Sequence, residues 1–275
     1  MRLKRFFWHS CLLGALFLLP LLTGCEILPR VTLGLDTPSP SPTSNTWSPV
    51  APGVEVRSET WKSPSTSGVS DTVSIARFNL HNVKLSVDYQ PDQPLSMQQW
   101  MQQEHALALI NGGYFDGQDH ATGMVISNGQ ASGTSYGGFG GMLDVTASGK
   151  VQLRSLRDHP YDPSENLTDA TQCTPMLLIN GKRTEFNADK KASPRSVVAL
   201  DRQGRLLFIA SPGLSFSLDD MATLLQQSDL NLLTALNLDG GSSTGLYVNG
   251  SQNSNQNIAI DSYVNLPIVI VVKAK

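Results

Sequence analysis

Leu236-Asn237-Leu238-Asp239-Gly240-Gly241 reads as an apolar strand running into one acid and two glycines. Far upstream, Ala108-Leu109-Ile110-Asn111-Gly112-Gly113 repeats the design with an amide in the polar place. Paired glycines after a strand adopt backbone angles closed to other residues, and they let a ligand approach the main chain. The polar residue is then held at the end of a rigid strand, where a reacting or binding group can be placed closely. The competing reading is local: two tight turns, with Asn111 and Asp239 bonding to nearby backbone.

Outward from these segments the chain is rich in strand patterns. Val54 to Trp61 and Thr72 to Leu80 alternate, and Lys84 to Tyr89 follows a short turn. Ala106 to Ile110, Gly123 to Ser127, Gly141 to Thr146 and Met176 to Ile179 are further apolar runs of strand length. Ser196 to Leu200 and Arg205 to Ala210 flank Asp201-Arg202-Gln203-Gly204, which marks a hairpin. Leu232 to Leu238 and Ile268 to Val272 complete the set. Two helices are predicted. One opens at Pro94-Leu95-Ser96 with Met97, Trp100 and Met101 on one face. The other starts at a Ser217 cap followed by Asp219 and Asp220, and runs to about Gln227. The expected fold class is α+β: one β-rich domain of mixed sheet with two or three helices.

The N-terminus predicts export. Arg2, Lys4 and Arg5 precede an apolar run from Phe6 to Leu22, which ends in Leu22-Thr23-Gly24-Cys25. The run is broken by His9, Ser10 and Pro20 and is short for a membrane span. Small residues before a cysteine resemble a bacterial lipobox, so residues 1–24 are expected to be a signal peptide and Cys25 to be lipidated. Several acyl chains on one residue give a stable membrane anchor. Glu26, not aspartate, follows the cysteine, which is compatible with an outer-membrane address facing the periplasm. Residues 25–53 include Thr37-Pro38-Ser39-Pro40-Ser41-Pro42 and read as an extended tether. The folded domain is expected over residues 54–275.

Composition excludes several classes. The net charge of −3, with no basic cluster in the mature chain, argues against nucleic acid. Cys173 would be the only cysteine left beside the anchor, so no disulfide framework exists. Such a thiol is a nucleophile or, more often, a small buried apolar residue. No Walker loop, dinucleotide fingerprint or Gly-x-Ser-x-Gly elbow occurs. His81, His105 and His159 lack zinc-ligand spacing. No cofactor is expected, although the Asp116 to Asp119 loop has the oxygens for a structural divalent cation such as calcium. His120, beside that loop, is either an acid–base group or a solvated side chain.

A series of motifs in order identifies a resemblance. Asn111-Gly112-Gly113-Tyr114-Phe115-Asp116 comes first, then Thr122-Gly123-Met124-Val125-Ile126 with Asn128-Gly129. Gly138 to Leu143 is a glycine-rich strand start, and Gln172-Cys173-Thr174-Pro175-Met176-Leu177 precedes Asn180-Gly181. Pro194-Arg195-Ser196, the helix Leu218 to Leu225 and Asn237-Leu238-Asp239-Gly240-Gly241-Ser242-Ser243-Thr244 close the series. Together they resemble the phosphodiester glycosidase family, which includes the lysosomal enzyme that uncovers mannose 6-phosphate. The serine-rich ending is similar to bacterial members.

That resemblance implies hydrolysis of a sugar joined through its anomeric carbon to a phosphodiester. Phosphate leaves readily, so the site needs charge stabilisation and a carboxylate more than a strong general acid. Implied catalytic residues are Asp239 as nucleophile, base or stabiliser, Arg195 as phosphate partner, and Asp116 as a second carboxylate. Arg195 is alternatively a structural ion pair, and Asp116 a turn residue beside Gly117. Asn111, Gly112, Gly113, Gly240, Gly241, Ser242 and Ser243 are implied substrate-binding positions. The implied partners are a carbohydrate or sugar-phosphate and, through the lipid, the membrane of a bacterial cell envelope. The alternative in another class is a non-catalytic glycan-binding or envelope-assembly lipoprotein on the same fold.

Overall fold

The computed structural model describes residues 46–187, 190–249 and 258–275. The expected signal segment, Cys25 and most of the expected tether lie outside the described residues. The described chain is β-rich, with two α-helices and three sheets.

The largest sheet has eight strands in the order Ser48–Ala51, Val54–Lys62, Ser70–Phe78, Leu206–Phe216, Ser193–Asp201, Leu232–Asn237, Met176–Ile179 and Lys182–Arg183. A second sheet orders Gln130–Ser132, Val125–Ser127, Leu167–Cys173, Gly141–Thr146 and Val151–Ser155. The third orders Ile258–Ile260, Leu246–Val248, Ala108–Asn111, Ile268–Ala274 and Val83–Tyr89.

Two expectations are corrected. The sheets are not mixed: every described strand pairing is antiparallel. The helix Leu218–Gln227 suggests a parallel crossover, because it carries the chain between two strands that run the same way. It passes over Ser193–Asp201, which lies between them and is antiparallel to both. The fold also begins before residue 54. Ser48–Ala51 pairs with Val54–Lys62, and Val50 is buried. Trp47 packs its ring under the guanidinium groups of Arg77 and Arg57, 3.8 and 4.8 Å from its centroid. Proline and serine around this short strand hide it in a tether-like composition.

The three sheets share one apolar core. Phe78, Phe208 and Leu236 of the large sheet meet Leu143 of the second and Ile110, Ile270 and Val272 of the third. The outward faces are covered too. Val197, Leu207 and Ile209 pack under Met221, Ala222 and Leu225 of the second helix, and Val269 and Val271 under Met97, Trp100 and Met101 of the first. Strands buried on both faces lose polar alternation, which is why Ile268 to Val272 is apolar throughout. Both helices open with a capping box, Ser96 with Gln99 and Ser217 with Asp220.

Candidate active site

The three sheets meet at the paired glycines. The Asp239 amide donates to the Gly112 carbonyl at 3.1 Å, and Gly112 in turn donates to Ile268 at 2.9 Å. This seam joins the large sheet to the third. A Cβ at Gly113 would stand 2.7 Å from the Gln172 carbonyl oxygen, so the second sheet presses against the same turn. A Cβ at Gly240 would lie 2.9 Å from the Pro194 carbonyl oxygen, and Gly241 holds φ +60°. The glycines are therefore needed where three backbones crowd together.

Asn111 ties the seam. It is 1% exposed. Its Nδ2 donates to the Asp239 carbonyl at 2.6 Å, and its Oδ1 accepts from the Gly245 amide at 3.2 Å. The side chain is engaged with backbone of the second motif, so it holds the site's frame.

Asp239 lies two residues past the strand Leu232–Asn237, and its Oδ1 accepts the Gly240 amide at 2.9 Å. Burial raises its pKa, opposed by hydrogen bonds from the Ser243 hydroxyl and the Gly240 amide. Tyr114, Tyr136 and Cys173 stand around it. Burial raises all three pKa values, and the negative charge of Asp239 raises them further. Cys173 is fully buried, a packing residue with its thiol kept protonated. Tyr114 donates to the Thr174 carbonyl at 2.8 Å and accepts from Asn237 Nδ2 at 2.8 Å. Gln172 places Tyr136: its Oε1 accepts the Tyr136 amide at 2.8 Å, and its Nε2 donates to Ser135 at 2.9 Å.

Arg195 lies across the ladder from Asp239. Val197 pairs with Asn237, and the Leu238 amide donates to Ser196 at 2.9 Å. One further step sets Arg195 opposite Asp239. Arg195 is 8% exposed, and its guanidinium donates to the carbonyls of Phe216 at 3.1 Å and Lys191 at 2.7 Å. It fixes the strand against which Gly240 closes. Ser242 is exposed at the rim, while Ser243 is buried.

Asp116 takes the turn role. It is exposed, and its Oδ1 accepts the amides of Gln118 at 2.9 Å and His120 at 3.0 Å. Those amides lower its pKa. One oxygen of its carboxylate is thus engaged by its own loop. His120, exposed, stands 3.9 Å from it. Asp116→Asn is expected to keep turnover within about twofold of wild type, measured as initial rate, where loss of a general acid costs roughly 10²-fold or more. Among the described residues, no three acidic, histidine or cysteine groups gather to hold a metal ion.

The structure thus ties the Asn111 side chain to the Asp239 backbone, sets Arg195 on the neighbouring strand with its guanidinium donating to backbone carbonyls, and places Asp116 on an exposed loop turn. Tyr114, Tyr136 and Asn237 join the site without having been singled out as site residues. Their signal was adjacency: Tyr114 follows Gly113, and Asn237 stands two residues before Asp239.

A three-sheet β fold whose strand-end Asn-Gly-Gly and Asp-Gly-Gly turns join around one half-buried carboxylate has counterparts among known proteins. The phosphodiester glycosidase family profile matches residues 104–272, and the chain belongs to that family. Among solved structures, it is similar to the catalytic domain of zebrafish N-acetylglucosamine-1-phosphodiester alpha-N-acetylglucosaminidase, auto-inhibited by its pro-peptide. That likeness has a TM-score of 0.64 at 19% identity, over 82% of this chain and 85% of that one. A hypothetical protein from Synechocystis is similar with a TM-score of 0.58 at 17% identity, over 82% of this chain and 63% of that one. At such identities the likeness is one of fold. No curated protein sequence matches the chain.

Proposed function

We propose that this protein is an envelope-anchored hydrolase that cleaves a sugar 1-phosphodiester, or a related glycosidic linkage, in cell-envelope or extracellular polysaccharide. The observation that carries the reading is the Asp239 carboxylate. It is held at a strand end, partly desolvated and flanked by Tyr114 and Tyr136, in a chain of the phosphodiester glycosidase family. In the reaction, the bond between the anomeric carbon and the phosphate oxygen breaks. The electron pair leaves with the phosphate, water supplies hydroxyl to the sugar, and the released proton is taken up by base or solvent. Asp239 stabilises positive charge at the anomeric carbon or activates its attacker. Arg195 positions the Pro194–Gly240 contact and adds positive charge next to the leaving phosphate. Asn111 and the four glycines shape the turn that presents Asp239, and Ser242 offers a hydroxyl at the rim.

The test uses the full-length protein in detergent and a panel of hexose and N-acetylhexosamine 1-phosphodiesters, following release of the phosphomonoester. Turnover of at least one is expected, in the membrane fraction of cells expressing wild type and in the soluble fraction for Cys25→Ser. Binding of envelope glycans without turnover of any probe would instead support a non-catalytic glycan-binding lipoprotein.

A further inference from the structure

Among the described residues, large apolar side chains are exposed at few places, and two of the loops that carry them flank the Asp239 turn. Leu214, 75% exposed, lies on one, and Tyr263 and Val264 lie on the other. The first loop is an outpouching of the strand Leu206–Phe216. Arg195 pairs with Ser211 and Ser193 with Phe216, so Pro212 to Ser215 bulge out opposite Pro194, whose carbonyl abuts Gly240. The bulge is buttressed from the strand Ser70–Phe78. Asp71 accepts the Ser211 hydroxyl and, at 2.8 Å, the Gly213 amide, and Ser215 Oγ donates to the Ser70 carbonyl at 3.1 Å. These bonds hold the backbone and leave Leu214 to solvent.

The second loop is tied to the turn itself. The Tyr263 amide donates to the Ser242 carbonyl at 2.8 Å, the Ser262 hydroxyl to the Val264 carbonyl at 2.7 Å, and Tyr247 Oη to Asp261 at 2.6 Å. Between the loops, Ser193 Oγ stands 3.5 Å from where a Cβ on Gly241 would be. Just before Ser193, Lys190 and Lys191 are exposed. The bond from Arg195 Nη2 to the Lys191 carbonyl fixes their backbone beside the turn.

Single exposed apolar side chains are ordinary on protein surfaces. Here a buttressed bulge presents one of them beside two others and a lysine pair, all around one turn. Lysine is drawn to anionic headgroups, leucine and valine enter the acyl boundary, and tyrosine sits between the two phases. Chain length permits the contact. Residues 26–45 separate Cys25, the expected site of the lipid, from the described residues, and the ends of such a length of chain stand about 25 Å apart on average. Three strands lie between Ser48–Ala51 and Ser193–Asp201, so the rim is about 19 Å away across the sheet.

We infer that this rim docks on an anionic lipid bilayer, so that the Asp239 site opens at the headgroup layer. The inference rests on the anchored half of the proposed function and not on hydrolysis.

The experiment reconstitutes the full-length lipoprotein in phosphatidylglycerol–phosphatidylethanolamine vesicles that contain a spin-labelled lipid. A nitrobenzoxadiazole probe is attached at Pro212→Cys on the bulge or, as the control, at Gln203→Cys. Gln203 is exposed in the hairpin at the other end of the same two strands, and Cys173 is fully buried and takes no probe. Quenching by the lipid is expected at position 212 and not at 203. Lys190→Glu together with Lys191→Glu should lower the ratio of docked to undocked protein by about 30-fold. Equal quenching at both positions, none at 212, or quenching that survives the two lysine changes overturns the docking surface. Flotation with the vesicles reads the anchor separately. Protein that floats without quenching at 212 keeps the anchor and loses the docking surface, and protein that does not float loses both.

Discussion

Asp239→Asn is expected to lower kcat/KM by about 10³-fold, in line with loss of a positioned carboxylate from a reaction centre. The same variant should melt no lower than wild type at neutral pH. Burial dominates the raised pKa of Asp239 over the hydrogen bonds from Ser243 and Gly240. A carboxyl whose pKa is raised in the folded state favours folding fully below its unfolded pKa, and that contribution is lost as pH rises through the folded pKa. At pH 7 the ionised side chain is therefore a cost to the fold, which a neutral amide of equal size does not bear. The stability difference between the two proteins should shrink as pH falls to the ordinary carboxylate range. Wild-type kcat/KM should decline on the acid side, below the raised pKa, as the carboxylate takes up its proton. Thermal melts at several pH values and a pH–rate profile check both halves. Full activity in Asp239→Asn would move the reaction centre elsewhere.

The strand-end turns were legible because their chemistry is local. An apolar run, one polar residue and two glycines carry the whole signal, and the structure joins the two turns through the bond from Asp239 to Gly112. The capped helix at Ser217 and the hairpin across Asp201 to Gly204 were legible for the same reason. The strand Leu167–Cys173 was not. Asp169, Thr171 and Gln172 are polar yet buried, because they serve the fold's interior: Asp169 accepts the Val87 amide at 3.0 Å, and Gln172 holds the loop of Tyr136. Such residues look like a loop until their distant partners are known. The short edge strands Gln130–Ser132 and Ile258–Ile260 lack length for any periodicity. Asp116 was open to two readings in the sequence, a second carboxylate or a turn residue beside Gly117, and only the folded loop shows its Oδ1 accepting the Gln118 and His120 amides. The direction of the sheets was hidden because strand pairing is a long-range property that a helix between two strands does not determine.

Asn111→Ala is expected to be the most destabilising change at the site, by about 3 kcal/mol, since each buried backbone group stripped of its partner costs roughly 1–3 kcal/mol. Two groups are stripped here: the Asp239 carbonyl loses the Nδ2 donor, and the Gly245 amide loses its Oδ1 acceptor. Both belong to the segment that presents Asp239, and at 1% exposure water cannot readily take the place of Asn111. For a folded region of this size the melting temperature should fall by about 6–12 °C. Asn111→Asp is the sharper control. It keeps an oxygen for Gly245 but sets a carboxylate against the Asp239 carbonyl with no donor between them, so it should melt low as well. Turnover should drop in both variants mainly through kcat, because a loosened Asp239 backbone misplaces the carboxylate in complexes that still form. Differential scanning fluorimetry with steady-state kinetics on the same preparations separates this frame role from direct substrate contact. A protein with Asn111→Ala that melts like wild type but shows a raised KM would place Asn111 against the sugar instead of in the seam between the sheets.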